Sequence, residues 1–303
     1  MLHISARTLA LAVVGLGASV SLTGKVQTPV DVQRTVYFTA TNPSGLHPAD
    51  LTAEDVIVRE GGAERQILRL EPSVTRLKVG LVIDEGLSPD VMLRQAAMKF
   101  IQQIRYAGDI ALYLVGRGNA KLVDYSTDLQ PFLNAVNAFP LRAQGDGNIV
   151  ESVFEIAKGQ RALEGRRVIV LLATEIPQMT TVTANGVLDE LQRDGTVLYA
   201  VTLVGPAGVA TPASPDMAHL EVTEETERDR MLNDGTKQSG GLRLSALRIE
   251  GFAEQLDRIR GDLLNQYAVT YLVPKGSKSD GRLTLTTTRK GITLRGPGRV
   301  PKL

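Results

Sequence analysis

Residues 77–90 read LKVGLVIDEGLSPD. The near-continuous apolar run from Leu77 to Ile83 is the mark of a strand buried on both faces, as in a parallel sheet covered by helices on either side. The run stops on an acid, Asp84, and a short loop carrying Gly86 and Ser88 follows. A carboxylate and a hydroxyl at a strand end are how a metal site is built at a sheet edge. They are also how an ordinary turn is built, with Asp84 capping the loop and Ser88 serving as a turn or N-cap residue before Pro89 at a helix start.

The residues downstream decide the fold class. Residues 90–106 carry apolar side chains at helical spacing, 109–116 (DIALYLVG) read as a strand, and 120–126 (AKLVDYS) as its neighbour. A short helix over Asp128–Phe139, capped by Thr127 or Asp128, precedes a second helix over Ile149–Leu163. RRVIVLLAT (166–174) is the strongest buried strand, followed by a helix over Val182–Arg193 and a strand at 196–204. Strands alternating with helices imply a mostly parallel, doubly wound α/β sheet with right-handed crossovers. Residues 205–241 are Pro/Gly/Ala-rich and then highly charged, and are read as a surface insertion. Residues 245–266 read as one long amphipathic helix, with Phe252, Leu256, Ile259 and Leu263 as its core face.

Both flanks of this pattern are β-rich. QRTVYFT (33–39) alternates, and Val56–Val58 and Gln66–Leu70 read as two strands joined by a turn at Glu60-Gly61-Gly62. YAVTYLV (267–273), RLTLTTT (282–288) and GITLR (291–295) close the chain, with a turn at Arg289-Lys290-Gly291 between the last two. Strands at both ends point to a small accessory β unit built from the two termini. Tyr267 and Tyr271 share one face of their strand and are expected to pack across it. The expected organisation is an export signal over 1–24, a β segment over 25–75, a doubly wound domain over 76–266 with its insertion at 205–241, and a β segment over 267–303.

Composition narrows the function. The net charge is +1, from 34 Lys+Arg against 33 Asp+Glu, so no broad basic face for nucleic acid is expected. With no cysteine in the chain, disulfides, thiolate metal sites and cysteine nucleophiles are excluded. The start, MLHISARTLALAVVGLGASVSLTG, has a basic residue, Arg7, then an apolar stretch from Leu9 to about Val20 and small residues. This is a secretory signal pattern with a cut expected within 18–24. The stretch is short for a membrane span, which needs roughly 20 apolar residues, and an uncleaved anchor is the alternative. A secreted, periplasmic or cell-envelope location follows, without stable membrane insertion after cleavage.

Six stretches carry a family resemblance through their order. They are GLHPADLTAEDVIVREGGAERQI (45–67), VGLVIDEGLS (79–88), RRVIVLLAT (166–174), TVLYAVTL (196–203), LLNQYAVTYLVP (263–274) and DGRLTLTTTRKGITLR (280–295). In this order, over roughly residues 30–300, the chain resembles the secreted bacterial proteins with a von Willebrand factor A-related domain. That resemblance implies a divalent ion at the carboxyl edge of the sheet, held by an Asp-x-Ser-x-Ser loop, a later Thr and an Asp after the fourth strand. One position would stay open for a partner's carboxylate.

The implied metal site is eroded here. Asp84 matches the acid and Ser88 the second Ser, but Gly86 stands in place of the first Ser. Gly147, in GDGNIVES (145–152), stands in place of the Thr. Thr174 stands in place of the last Asp, with Glu175 or Asp146 as other oxygen donors. The metal candidates are thus Asp84, Ser88 and Thr174, a set that would hold Mg²⁺ or Ca²⁺ at low affinity if at all. No other cofactor is expected.

Catalytic patterns are absent. The three histidines, His3, His47 and His219, form no H-E-x-x-H, and no G-x-S-x-G or P-loop sequence occurs. Asp84 and Glu85 are adjacent on one loop, not two acids held across a cleft. Glu85 is expected to point to solvent or to act as a rim charge. The reading is a non-enzymatic, exported protein–protein adhesion or assembly module that works without a metal. Its partner would approach loops 84–89, 144–148 and 173–179 through Glu85, Gly86, Asp146, Gly147, Asn148 and Glu175. The alternatives are a divalent-cation-dependent adhesin and a hydrolase using carboxylates at the same edge.

Overall fold

The computed structural model of the chain describes residues 31–87, 90–116, 119–140, 148–174, 180–204, 227–277 and 279–301. The expected export segment 1–24 lies outside the described residues, as do Ser88, Asp146, Gly147 and Glu175. Among the described residues no helix is long and apolar enough to cross a membrane.

The run at 77–83 forms the centre of a six-stranded sheet. Its strands are β5 (Leu77–Asp84), β6 (Gly108–Val115), β7 (Asn119–Ser126), β8 (Arg166–Thr174), β9 (Val197–Leu203) and β10 (Arg243–Ala246). They lie in the order β10-β9-β8-β5-β6-β7, parallel throughout except for β7, which runs against β6. Numbered along the chain, this is the 3-2-1-4-5-6 order of a doubly wound sheet. The fold is the von Willebrand A-like α/β architecture that the resemblance implies.

Side chains alternate across the sheet, as the pleat requires. Leu77, Val79, Leu81 and Ile83 of β5 and Val168, Val170 and Leu172 of β8 face one layer of helices. That layer contains α1 (Val91–Ile104), α2 (Leu129–Asn137) and α5 (Gly251–Leu264). Val82, Ile169, Leu171 and Ala173 face the other layer, which contains α3 (Ile149–Gln160) and α4 (Ala184–Asp194). On α5 the expected core face is fully buried at Phe252, Leu256, Ile259 and Leu263. Each such side chain contributes about 1.5–3 kcal/mol relative to exposure.

The two β-rich ends meet, as their placement suggests. A four-stranded antiparallel sheet has the order β13-β1-β11-β4, with β1 at Val32–Thr41, β4 at Ile67–Pro72, β11 at Gln266–Val273 and β13 at Thr293–Arg295. A three-stranded sheet has the order β12-β2-β3, with β2 at Val56–Glu60, β3 at Ala63–Arg65 and β12 at Leu283–Thr287. The two share one core that includes Val36, Phe38, Val58, Tyr267, Tyr271 and Leu283. Tyr267 sits directly opposite Phe38 on β1, and the two rings stack with centroids 5.7 Å apart.

Four local expectations are corrected. Gln66–Leu70 does not pair with Val56–Val58: the hairpin partner of β2 is the three-residue β3, its other neighbour is β12, and the chain then turns into the other sheet. Gly61 and Gly62, at φ 59° and 79°, make this tight hairpin, in the region only glycine enters without strain. The stretch 245–266 is not one helix, because Arg243–Ala246 adds a sixth strand, parallel to β9, and α5 begins only at Gly251. The second half of the expected insertion is not surface material: Arg228, Met231, Leu232 and Thr236 are buried against the sheet and α4. The cap of α1 is Asp90, whose carboxylate accepts from the backbone N–H of Met92 (2.7 Å) and Leu93 (3.2 Å).

Candidate functional site

Parallel pairing sets the carboxyl ends of β5 and β8 side by side, with Ile83 opposite Leu172. Asp84 follows Ile83 directly and Thr174 lies two residues beyond Leu172, so the two reach the same sheet edge. Asp84 is only 3% exposed. Its Oδ2 accepts from the Thr174 backbone N–H (3.1 Å) and hydroxyl (2.7 Å). Its Oδ1 accepts from the Gly86 N–H at 3.0 Å, closing a turn of 3₁₀ helix over Glu85–Leu87. Three hydrogen bonds thus fall on one carboxylate, and charge assistance makes them strong ones.

Glu85 does not point to solvent. It is 6% exposed, and a Cβ placed on Gly116 would lie 1.6 Å from its Oε2. The side chain folds over the end of β6, into space left by the absent side chain of Gly116. Gly86 is exposed beside it.

A cation lies at the same edge. The guanidinium of Arg228, 3% exposed, donates through Nη2 to the carbonyl oxygen of Thr174. Its segment is docked on α4. Glu227 accepts from the Ala184 N–H (2.5 Å), Arg230 donates to Asn185 Oδ1 (2.8 Å), and Met231 and Leu232 enter the core. Sequence reasoning missed Arg228 because it lies in the charged run EVTEETERDR (221–230), which reads as a solvated face. The apolar pair Met231-Leu232 directly after that run was the signal that one side of it is buried.

Two helix starts complete the edge. Asn148 caps α3, accepting through Oδ1 from Val150 (3.0 Å) and Glu151 (3.1 Å) N–H groups. Glu151 reaches across to the segment before α4 and accepts from the Thr181 N–H (3.0 Å) and hydroxyl (2.7 Å). These two bonds, the backbone one foremost, hold the Glu151 carboxyl below its usual range. Of the residues expected at the site, Asp84, Thr174, Glu85 and Gly86 are brought together, and Asn148 stands at the start of α3.

Among the described residues, this edge offers few free oxygens to a hard divalent ion. Such an ion takes about six to eight oxygens for Ca²⁺, or near-octahedral oxygens and waters for Mg²⁺. Among the described residues no group of three or more His, Asp and Glu gathers to hold a metal. The one buried acid facing Thr174 already carries three hydrogen bonds. The guanidinium on the Thr174 carbonyl occupies one oxygen and repels a second cation.

No protein-family model matches the chain, and no curated protein matches it. Solved structures do resemble it in outline. One is the conserved hypothetical protein BatB from Bacteroides thetaiotaomicron, at 10% identity, with 62% of this chain and 98% of that chain covered and a TM-score of 0.43. Another is proximal thread matrix protein 1 from the mussel byssus, with a zinc-occupied MIDAS motif, at 11% identity, 69% and 50% coverage and a TM-score of 0.46. A third is the SpRpn10 VWA domain, at 14% identity, 59% and 95% coverage and a TM-score of 0.38.

Proposed function

We propose that the chain is an exported protein-interaction module that engages a protein partner, without a metal ion, at the carboxyl edge of its central sheet. The contact surface is formed by loops 84–89, 144–148 and 173–179, with Gly86, Asp146, Gly147, Asn148 and Glu175 at its face. Glu85 serves beneath that face as a buried support. The observation that carries this reading is the closed pairing of Asp84. Thr174 and Gly86 satisfy its carboxylate, and the buried guanidinium of Arg228 lies on the Thr174 carbonyl. A carboxylate with both oxygens already accepting hydrogen bonds is a weakened base and nucleophile, which favours binding over catalysis. Export is supported by the basic, apolar and small-residue order of residues 1–24. Fold alone does not fix function, so the reading rests on the site's chemistry together with the family resemblance.

The test is partner capture by immobilised protein, run in parallel in EDTA and in millimolar Mg²⁺. One edge variant, Glu175→Arg, is compared with a variant at an exposed site away from the edge, Tyr106→Arg. The reading expects one partner retained equally in both buffers, lost in Glu175→Arg and kept in Tyr106→Arg. Capture that requires Mg²⁺ would mean a cation-dependent adhesin instead. Capture indifferent to Glu175→Arg would remove the edge from the account.

A further inference from the structure

A second feature lies at the opposite edge of the central sheet. The starts of β8 and β9 face β1, the start of β11 and the C-terminal segment across a cleft of about 250 Å³. Its walls are mostly apolar, from Val36, Tyr37, Val168, Val197, Pro297 and Pro301. Arg166 enters this cleft at 7% exposure.

The bonding of Arg166 is incomplete. Nε donates to the Thr75 carbonyl (3.0 Å), and Nη1 to Gln266 Oε1 (2.7 Å) and the Leu263 carbonyl (3.4 Å). The guanidinium carbon lies 5.4 Å from the centre of the Tyr37 ring. Every acceptor is neutral, and among the described residues no carboxylate pairs with it. Arg167, also on the cleft, likewise donates only to carbonyls, those of Arg161, Leu163 and Asp194. Among the described residues the one acid on the wall, Asp194, is paired with Arg161 at 3.3 Å. Among the described residues, the cleft therefore holds positive charge without a paired carboxylate, in a largely apolar frame. Burying an unpaired charge is costly, and an anionic ligand would relieve that cost.

We infer that this cleft is a binding site for a small carboxylate with an apolar body. The carboxylate would accept from Nη2 of Arg166, the nitrogen that donates to none of these acceptors, and the body would lie against Tyr37, Val197 and Pro297. Arginine suits this role because its guanidinium stays charged when buried and stacks on an aromatic ring. At about 250 Å³ the cleft lies just under the usual ligand-pocket range of about 300–1,000 Å³, so it suits only a small ligand. The site is independent of the edge at Asp84 and stands whether or not that edge binds a partner.

The experiment titrates benzoate into the full chain, reading heat of binding and the NMR shifts of the Arg166 side-chain N–H and the Tyr37 ring. Benzamidine, of similar shape and opposite charge, is the control. Val197→Phe fills the cleft and leaves every hydrogen bond of Arg166 in place, whereas Arg166→Met removes the charge. The expected result is saturable binding of benzoate but not benzamidine, absent in Val197→Phe and weakened at least about tenfold in Arg166→Met. If Arg166→Met fails to fold, Val197→Phe alone decides. Equal binding of benzamidine, binding that survives Val197→Phe, or no saturable response to benzoate would each overturn the inference.

Discussion

Replacing Asp84 by Ala removes the acceptor of three hydrogen bonds, from the Thr174 N–H, the Thr174 hydroxyl and the Gly86 N–H. Bonds to a charged acceptor contribute about 1.5–3 kcal/mol each, and a buried donor left unsatisfied costs about 1–3 kcal/mol. Gly86 is exposed, so its N–H finds water and its share is small. Thr174 is half-buried at the junction of two strands, so its two donors lose most of their value. Relief of the carboxylate's own burial offsets part of the loss. The net expectation is about 2–3 kcal/mol, a large share of a typical total of about 5–15 kcal/mol. Asp84→Asn should lose a similar amount, because whichever way the amide turns its NH₂ meets a donor. Urea unfolding in EDTA reads this as a lower midpoint at unchanged slope. A loss under about 0.5 kcal/mol, the range of an ordinary surface change, would refute the closed pairing. So would a loss that appears only when divalent ions are present.

Three further outcomes follow from other parts of the molecule. Asp262 on α5 is buried and pairs with Arg295 of β13, so Asp262→Ala strands a cation between the helix and the β unit. It should cost about 3–5 kcal/mol in chemical unfolding, and a loss near zero would mean the pair is not closed in solution. Asp109 accepts from Lys78 Nζ at 2.5 Å, and that bond holds its carboxyl below its ordinary value of 3.8. The stability it lends is complete above that value and is lost as pH falls through the lower folded-state value. The acid limb of the stability profile should therefore flatten below about pH 4 in Asp109→Asn, and an unchanged limb would contradict the pairing. Gly116→Ala places a Cβ 1.6 Å from Glu85 Oε2 and must expel that side chain, at a cost of about 1–3 kcal/mol. A fully stable variant would show that Glu85 does not pack there.

The strands that were plain in the sequence are those buried on both faces. LKVGLVI and RRVIVLLAT need apolar residues at nearly every position, and so announce themselves without regard to partner. The short strands carry no such signal. Ala63–Arg65 has one small apolar residue in three, and its existence depends on the Gly61-Gly62 reversal. Arg243–Ala246 has two buried positions, Leu244 and Ala246, and these merge by spacing into the helix that follows. Asp84 and Thr174 were legible as a pair through their places at the ends of the first and fourth sheet strands, which parallel pairing puts side by side. Arg228 was not, because it meets Thr174 across 54 residues of chain and only tertiary packing of the Met231-Leu232 turn brings it there. The inward turn of Glu85 was hidden for a similar reason: the space it fills is the missing side chain of Gly116, on a different strand.

Thermal unfolding in EDTA and then in millimolar Mg²⁺, Ca²⁺ or Mn²⁺ tests the central claim most directly. An ion present at about 100 times its dissociation constant, bound only to the folded state, would add about 2.7 kcal/mol. With Asp84 closed by Thr174 and Gly86, and with Arg228 on the Thr174 carbonyl, the midpoint should be the same in every buffer. A rise with any of these ions that disappears in Asp84→Ala would contradict the account, and would restore a metal to the edge of the sheet.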